Sequence, residues 1–184
     1  MPHTCPWWLG YFLANPLRKL THNPEIILKP YLKDGMNALD VGPGMGFFSI
    51  PMAQFLGDQG RVYCIDLQPK MLSALKRRAA KAGVEKQIET RLATPDSLAI
   101  TDLKGKIDFA LAFAVVHEVS DQQNLFVEIH QALKPGGRLL VAEPAHHVGK
   151  QDFEREMSIA VKAGLVIEDY PKIAKSQAAV LRKE

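Results

Sequence analysis

The chain has 184 residues, 47% of them hydrophobic, with a net charge of +3 and two cysteines. That length fits one domain with a sizeable core, the charge is too small to imply nucleic acid by itself, and two cysteines exclude a disulfide framework, so a cytoplasmic location is expected. Pro2-His3-Thr4-Cys5-Pro6 lacks the charged start of a secretory signal, and no run reaches the roughly 18 apolar residues of a membrane span.

Taken in chain order, an aromatic-rich segment, Cys5 to Phe12, comes first and includes Trp7, Trp8 and Tyr11. It reads equally as a cover over a site or as an apolar helix packed on the sheet or a partner subunit. Asn23 followed by Pro24 predicts a capped short helix to about Tyr31. Asn37 to Val41 is a strand that runs into a glycine turn, with a helix from Phe47 to Leu56 behind it. Arg61 to Asp66 is a second strand. Pro69 opens a helix that Gly83 ends, with Met71, Leu72, Leu75, Ala79 and Ala82 on its inner face. Ile88 to Leu92 and Ile107 to Phe113 are strands, the latter nearly all apolar as in a central parallel strand. Ser120 and Gln123 form a capping-box pattern before Leu125, Phe126, Ile129 and Leu133. Arg138 to Glu143 is a fifth strand, Asp152 to Ala163 a helix, and Leu165 to Tyr170 and Ser176 to Leu181 two final strands. Alternation of strand and helix argues for a parallel sheet covered on both faces.

The turn Asp40-Val41-Gly42-Pro43-Gly44-Met45-Gly46 carries the functional signal. Glycines let backbone approach a ligand closely, and the helix start behind them offers free N–H groups. A dinucleotide fingerprint needs glycine at the first, third and sixth positions. Counted from Gly42, the sixth is Phe47 and the third glycine falls one place early, at Gly46. An NAD-dependent oxidoreductase is thereby disfavoured. Asp66, at the end of the second strand, supports a ribose without naming the cofactor.

With Leu39–Gly46, Val62–Asp66, Ile107–Ala112 and Leu133–Val141 in this order, the chain resembles the class I S-adenosylmethionine-dependent methyltransferases, over roughly residues 35 to 181. The resemblance implies an α/β fold: a Rossmann-like doubly wound sheet of seven strands, mostly parallel, with the last antiparallel. It implies one domain over 1–184, with residues 1–34 as a lid segment and 35–184 as the core. It implies S-adenosylmethionine as cofactor, with S-adenosylhomocysteine as product. Gly42, Pro43, Gly44, Met45 and Gly46 would approach its methionine and ribose part, with Asp40 helping to hold the amino-acid end. Asp66 would take the ribose hydroxyls and Leu67 would lie against the adenine. Where many members carry an Asp for the adenine amino group this chain has Thr94, so the Thr94 hydroxyl or the Ala93–Thr94 backbone takes that place. The segment from Ala114 to His117 would lie beside the sulfonium and face the acceptor.

His117 has an ordinary pKa suited to a general base, with a packing or capping histidine as the plain alternative. Glu118 reads as structural or solvated. Glu143 ends its strand as a base or an orienting carboxylate. Trp7, Trp8, Tyr11, His117 and His146 are the candidate acceptor contacts. His117, His146, His147 and Glu143 have no zinc-type spacing, so no metal is expected. Lys70, Lys76, Arg77, Arg78, Lys81 and Lys86 read as a solvated face. A small-molecule acceptor is expected, with no nucleic-acid partner, and a monomer or homodimer. Two cysteines also argue against an arsenic acceptor. A non-catalytic S-adenosylmethionine-binding regulator or scaffold is the alternative.

Overall fold

The computed structural model describes Arg18 and residues 20–184. Trp7, Trp8 and Tyr11, with Cys5, lie outside the described residues. The elements are α1 (Pro24–Leu28), β1 (Asn37–Val41), α2 (Ser49–Leu56), β2 (Arg61–Asp66), α3 (Pro69–Lys81), β3 (Ile88–Leu92), β4 (Ile107–Phe113), α4 (Gln122–Ala132), β5 (Leu133–Pro144), α5 (Lys150–Lys162), β6 (Leu165–Asp169) and β7 (Ser176–Lys183). Short 3-10 turns cover Thr101–Leu103 and Val116–Glu118.

The strands form one sheet in the order β3-β2-β1-β4-β5-β7-β6. Pairing is parallel from β3 through β5, and β7 runs antiparallel to both β5 and β6. The order reverses between β1 and β4, which opens a crevice at the carboxyl ends of those strands.

Strand alternation divides the core. On β4, Phe109, Leu111 and Phe113 pack on one face with α1, α2 and α3. Ala110 and Ala112 face the other side, with α4 and α5. Phe109 and Phe126 are fully buried, one on each face. Burial of each such ring contributes about 2 kcal/mol.

Several boundaries differ from the sequence reading. Asn23 caps α1 as expected, accepting from the Glu25 N–H at 3.0 Å, but α1 stops at Leu28. Tyr31 instead stacks on Phe109 at 5.7 Å. Phe47 and Phe48 precede α2 as parts of the turn. Ala82 is exposed, because α3 ends at Lys81 and leaves it as the cap. The cap of α4 is Asp121 rather than Ser120, and it accepts from the Asn124 N–H at 2.8 Å. β5 begins at Leu133, which pairs with Ile107 ahead of a register shift at the Gly136–Gly137 bend. α5 begins at Lys150, and β7 continues to Lys183.

Gly46 has φ +83°, and a Cβ there would collide with the Leu75 side chain of α3. Gly44 has φ +54° with nothing within 4 Å of where a Cβ would stand. Gly46→Ala is therefore expected to destabilise the fold by about 3 kcal/mol. Gly44→Ala should cost only the left-handed strain of about 1 kcal/mol. Urea denaturation of both variants measures the difference, and equal losses would contradict the assignment.

Candidate active site

The crevice is a cavity of about 540 Å³. Asp40, Gly42, Pro43, Gly44, Met45, Asp66, Leu67, Ala93, Thr94, Ala114, His117 and His146 all line it, so the structure brings these sequence-read residues together. Gly46 and Glu143 do not line it. Gly46 lets α3 pack against the turn, and Glu143 lies buried behind the wall.

Asp40 is buried on β1 and accepts from the Ser49 hydroxyl at 2.6 Å. Burial pushes its pKa up to about 7; the Ser49 bond opposes this and the nearby Asp66 charge adds to it. Asp66 accepts from the Gly44 N–H at 3.3 Å and from the Gln68 N–H at 2.8 Å. Burial raises its pKa as well, against those backbone bonds. The β2 carboxylate thus touches the glycine turn directly. Arg78 also belongs to this turn: its Nη1 donates to the Met45 carbonyl at 2.8 Å, so it does not stand on the solvated face with Lys76 and Arg77.

The third loop is tied down. The Thr94 N–H donates to the Ser97 carbonyl at 2.9 Å, and the Ala93 N–H to the Asp66 carbonyl at 3.0 Å. Glu128 of α4 accepts from the Ser97 hydroxyl at 2.7 Å and from the Leu98 N–H at 2.6 Å. The Ala93 and Thr94 backbone donors are therefore spent inside the fold. The Thr94 carbonyl also accepts from the Ser97 N–H at 3.3 Å, and the Thr94 hydroxyl donates to the Ser97 carbonyl at 3.4 Å.

At the end of β4, Ala114 adopts φ +57°, which turns the chain into the Val116–Glu118 3-10 turn. Glu143, fully buried at the end of β5, holds that turn. Its Oε1 accepts from the Val115 N–H at 3.1 Å and the Val116 N–H at 2.8 Å, and its Oε2 binds Nδ1 of His117. With the carboxylate as acceptor, the proton of a neutral His117 sits on Nδ1, and Nε2 carries the lone pair. The Glu143 bond raises the His117 pKa, against partial burial. His147 stacks on His117 at 5.9 Å, and the His146 ring lies tilted against His147 at 4.3 Å. Among the described residues, no group of three or more His, Cys, Asp or Glu is placed to hold a metal ion.

Behind the turn lies a pair the sequence reading missed. Gln122 of α4 donates to the Val116 carbonyl at 3.1 Å and to Oε1 of Glu156 on α5 at 3.4 Å. Glu156 is buried, and its Oε2 has no hydrogen-bond partner among the described residues. Arg18 and His22 also line the cavity, His22 bonding the Ala174 carbonyl at 2.9 Å.

The parallel sheet with its reversal at β1 and β4, the glycine turn, and a β2 carboxylate touching that turn define a Rossmann-like core with a nucleotide-type cofactor crevice. A family model described as a methyltransferase domain matches residues 32–178, and the chain belongs to that family. A solved S-adenosylmethionine-dependent methyltransferase from Aquifex aeolicus superposes with a TM-score of 0.86 at 25% identity, covering 97% of this chain and 98% of that one. An arsenite methyltransferase of Halobacterium salinarum is 30% identical over 59% of this chain and 27% of its own length. A ubiquinone/menaquinone biosynthesis C-methyltransferase of Francisella tularensis subsp. novicida is 30% identical over 65% of this chain and 47% of its own. The chain thus spans about half or less of these curated relatives. S-adenosylmethionine is the cofactor of this class. The cradle fits it: Gly44 leaves open space where a side chain would intrude, and the carboxyls of Asp40 and Asp66 line the same cavity.

Because burial raises the Glu156 pKa to about 7, the folded state binds a proton there that the unfolded chain releases near pH 4.5. Stability is therefore lost as pH rises from about 4.5 through 7. Glu156→Gln is expected to be near neutral at pH 4 and to stabilise by on the order of 2 kcal/mol at pH 8. Denaturation midpoints across that range check it, and a variant less stable at pH 8 would contradict it.

Proposed function

We propose that this chain transfers a methyl group from S-adenosylmethionine to a small-molecule acceptor by in-line displacement. When bound, the cofactor supplies an activated methyl group on a sulfonium. The turn at Gly42–Gly46 and Asp66 hold and orient it, with Asp40 toward its amino-acid end. His117 accepts the acceptor's proton at Nε2, while Glu143 keeps the ring in the correct tautomer and favours its protonated form. Glu143 is a positioning residue and not itself the base, because all three of its contacts face inward. Most of the acceleration comes from alignment of acceptor and methyl group.

The observation that carries this reading is a histidine held by a buried carboxylate in the same cavity as the glycine turn. A scaffold that only bound the cofactor would need Glu143 to hold the turn but would need no base in the cavity. A cleft of about 540 Å³ suits a small-molecule acceptor better than a polymer. Arg18, Thr21 and His22 line the cavity, which supports an N-terminal lid over the site. Arsenite, in the name of one relative, suits this chain poorly, since burial pushes the Cys64 thiol well up and out of reactive range.

Thermal melts with S-adenosylmethionine, S-adenosylhomocysteine and NAD test the cofactor assignment. At a hundred times its dissociation constant a ligand adds about 2.7 kcal/mol, a shift of several degrees. Shifts with the two sulfur ligands and none with NAD are expected; the reverse would contradict the reading. In an acceptor screen, His117→Ala should lower kcat by roughly a hundredfold or more while leaving S-adenosylhomocysteine affinity unchanged.

A further inference from the structure

Behind the His117 turn stands a carboxyl that methyl transfer, as described above, leaves unused. Glu156 is buried on the inner face of α5 beside Phe153, Met157 and Ala160. A glutamate on such a face costs stability unless it is fully paired. Glu156 is paired only in part: its Oε1 accepts from the Gln122 amide at 3.4 Å, and its Oε2 has no hydrogen-bond partner among the described residues. Packing alone gives no reason for a carboxyl at this position, where an apolar side chain would fill the same space.

The His117 turn gives one. The Gln122 Nε2 has two protons, one for Oε1 of Glu156 and one for the Val116 carbonyl at 3.1 Å. The Val116 N–H is already given to Oε1 of Glu143 at 2.8 Å. The residue ahead of His117 is thus tied from two sides, by β5 through its N–H and by α5 through its carbonyl and Gln122. α4 faces Glu156 with the uncharged Gln122, β5 with Glu143, the turn with His117, and α5 itself with Asp152. Of these only the imidazole can carry positive charge. Burial and then Glu143 raise the Glu156 pKa, while His117 and the Gln122 bond oppose them. The coupling is mutual: the Glu143 bond leads in raising the His117 pKa, and the charges of Glu118 and Glu156 add to it. Carboxylates gathered behind a neutral ring repel one another, and a proton arriving on that ring relieves them.

We propose that Glu156 is a positioning residue for the transfer: anchored to the Val116–Glu118 turn through Gln122, its carboxylate strengthens His117 as a base by favouring the imidazolium. This rests on the methyl-transfer reading above, with His117 as the base. The acceptor's proton goes to Nε2 of His117, and Glu156 takes none from the acceptor, because it does not line the cavity.

The test is a nitrogen-15 NMR titration of the His117 imidazole in the full chain saturated with S-adenosylhomocysteine. Glu156→Gln removes the charge and keeps an oxygen that accepts from Gln122. Gln122→Met removes the bridge and keeps Glu156. Glu154→Gln removes a carboxylate from the exposed face of the same helix. Glu156→Gln should move the His117 midpoint to lower pH, Gln122→Met should move it the same way by less, and Glu154→Gln should leave it in place. Calorimetric affinity for S-adenosylhomocysteine should be unchanged in all three. A Glu156 that served packing alone would leave the midpoint of Glu156→Gln at the wild-type value, and the proposal falls. It falls too if Glu154→Gln shifts the midpoint as far as Glu156→Gln, since the effect would then be general surface charge. Failure of the reading beneath it shows in the wild type instead: no binding of S-adenosylhomocysteine, or a neutral His117 protonated on Nε2, would overturn that reading and this proposal with it.

Discussion

The site depends on one buried carboxylate. Glu143, at the end of β5, has no contact with solvent and spends its acceptor sites on two consecutive backbone N–H groups and one imidazole. A buried charge without such partners would cost several kcal/mol, so the chain after β4 must come to it. That requirement turns Ala114 to φ +57° and sets Val115 over the glycine turn. A Cβ on Gly42 would stand 2.6 Å from Val115 Cγ2. The glycine at that position therefore answers to the β4 loop as much as to a ligand. Glycine turn, β4 loop and His117 are three parts of one packing solution.

The sheet order makes this arrangement possible. β5 lies beside β4, and β4 beside β1, so the last residues of three neighbouring strands meet at one edge. Asp40 of β1 and Glu143 of β5 are both buried there, yet their environments differ. Asp40 has a single hydroxyl donor at 2.6 Å and its pKa is pushed up to about 7, so a cation arriving nearby favours its ionised form. Glu143 already has its donors in place. On the proposed reading one carboxyl answers to the ligand, the other to the fold.

Much of the fold is legible in the sequence because its signals are local. The run Ile107–Phe113 reads as a central strand from apolar content alone, and Asn23-Pro24 as a cap from two residues. The glycine spacing identifies the turn, and the position of His117 just beyond β4 identifies a candidate base. What stays hidden is long-range. Glu156, flanked by Arg155 and Met157, looks as solvated as Glu154, and its partner Gln122 lies 34 residues away. Ser49 gives no sign that it holds Asp40. Arg78 looks like Lys76 and Arg77, and only the packing of α3 turns it to the Met45 carbonyl. Asp121 displaced Ser120 as the cap by one residue, a choice between two good caps that sequence cannot make.

A nitrogen-15 NMR titration of the His117 imidazole in the wild type and in Glu143→Gln measures the proposed dyad most directly. The wild-type ring should be protonated on Nδ1 when neutral and titrate above the ordinary value of about 6.5. In Glu143→Gln the pKa should fall. A neutral ring protonated on Nε2, or a pKa unmoved by the substitution, would contradict a histidine held and tuned by the buried carboxylate.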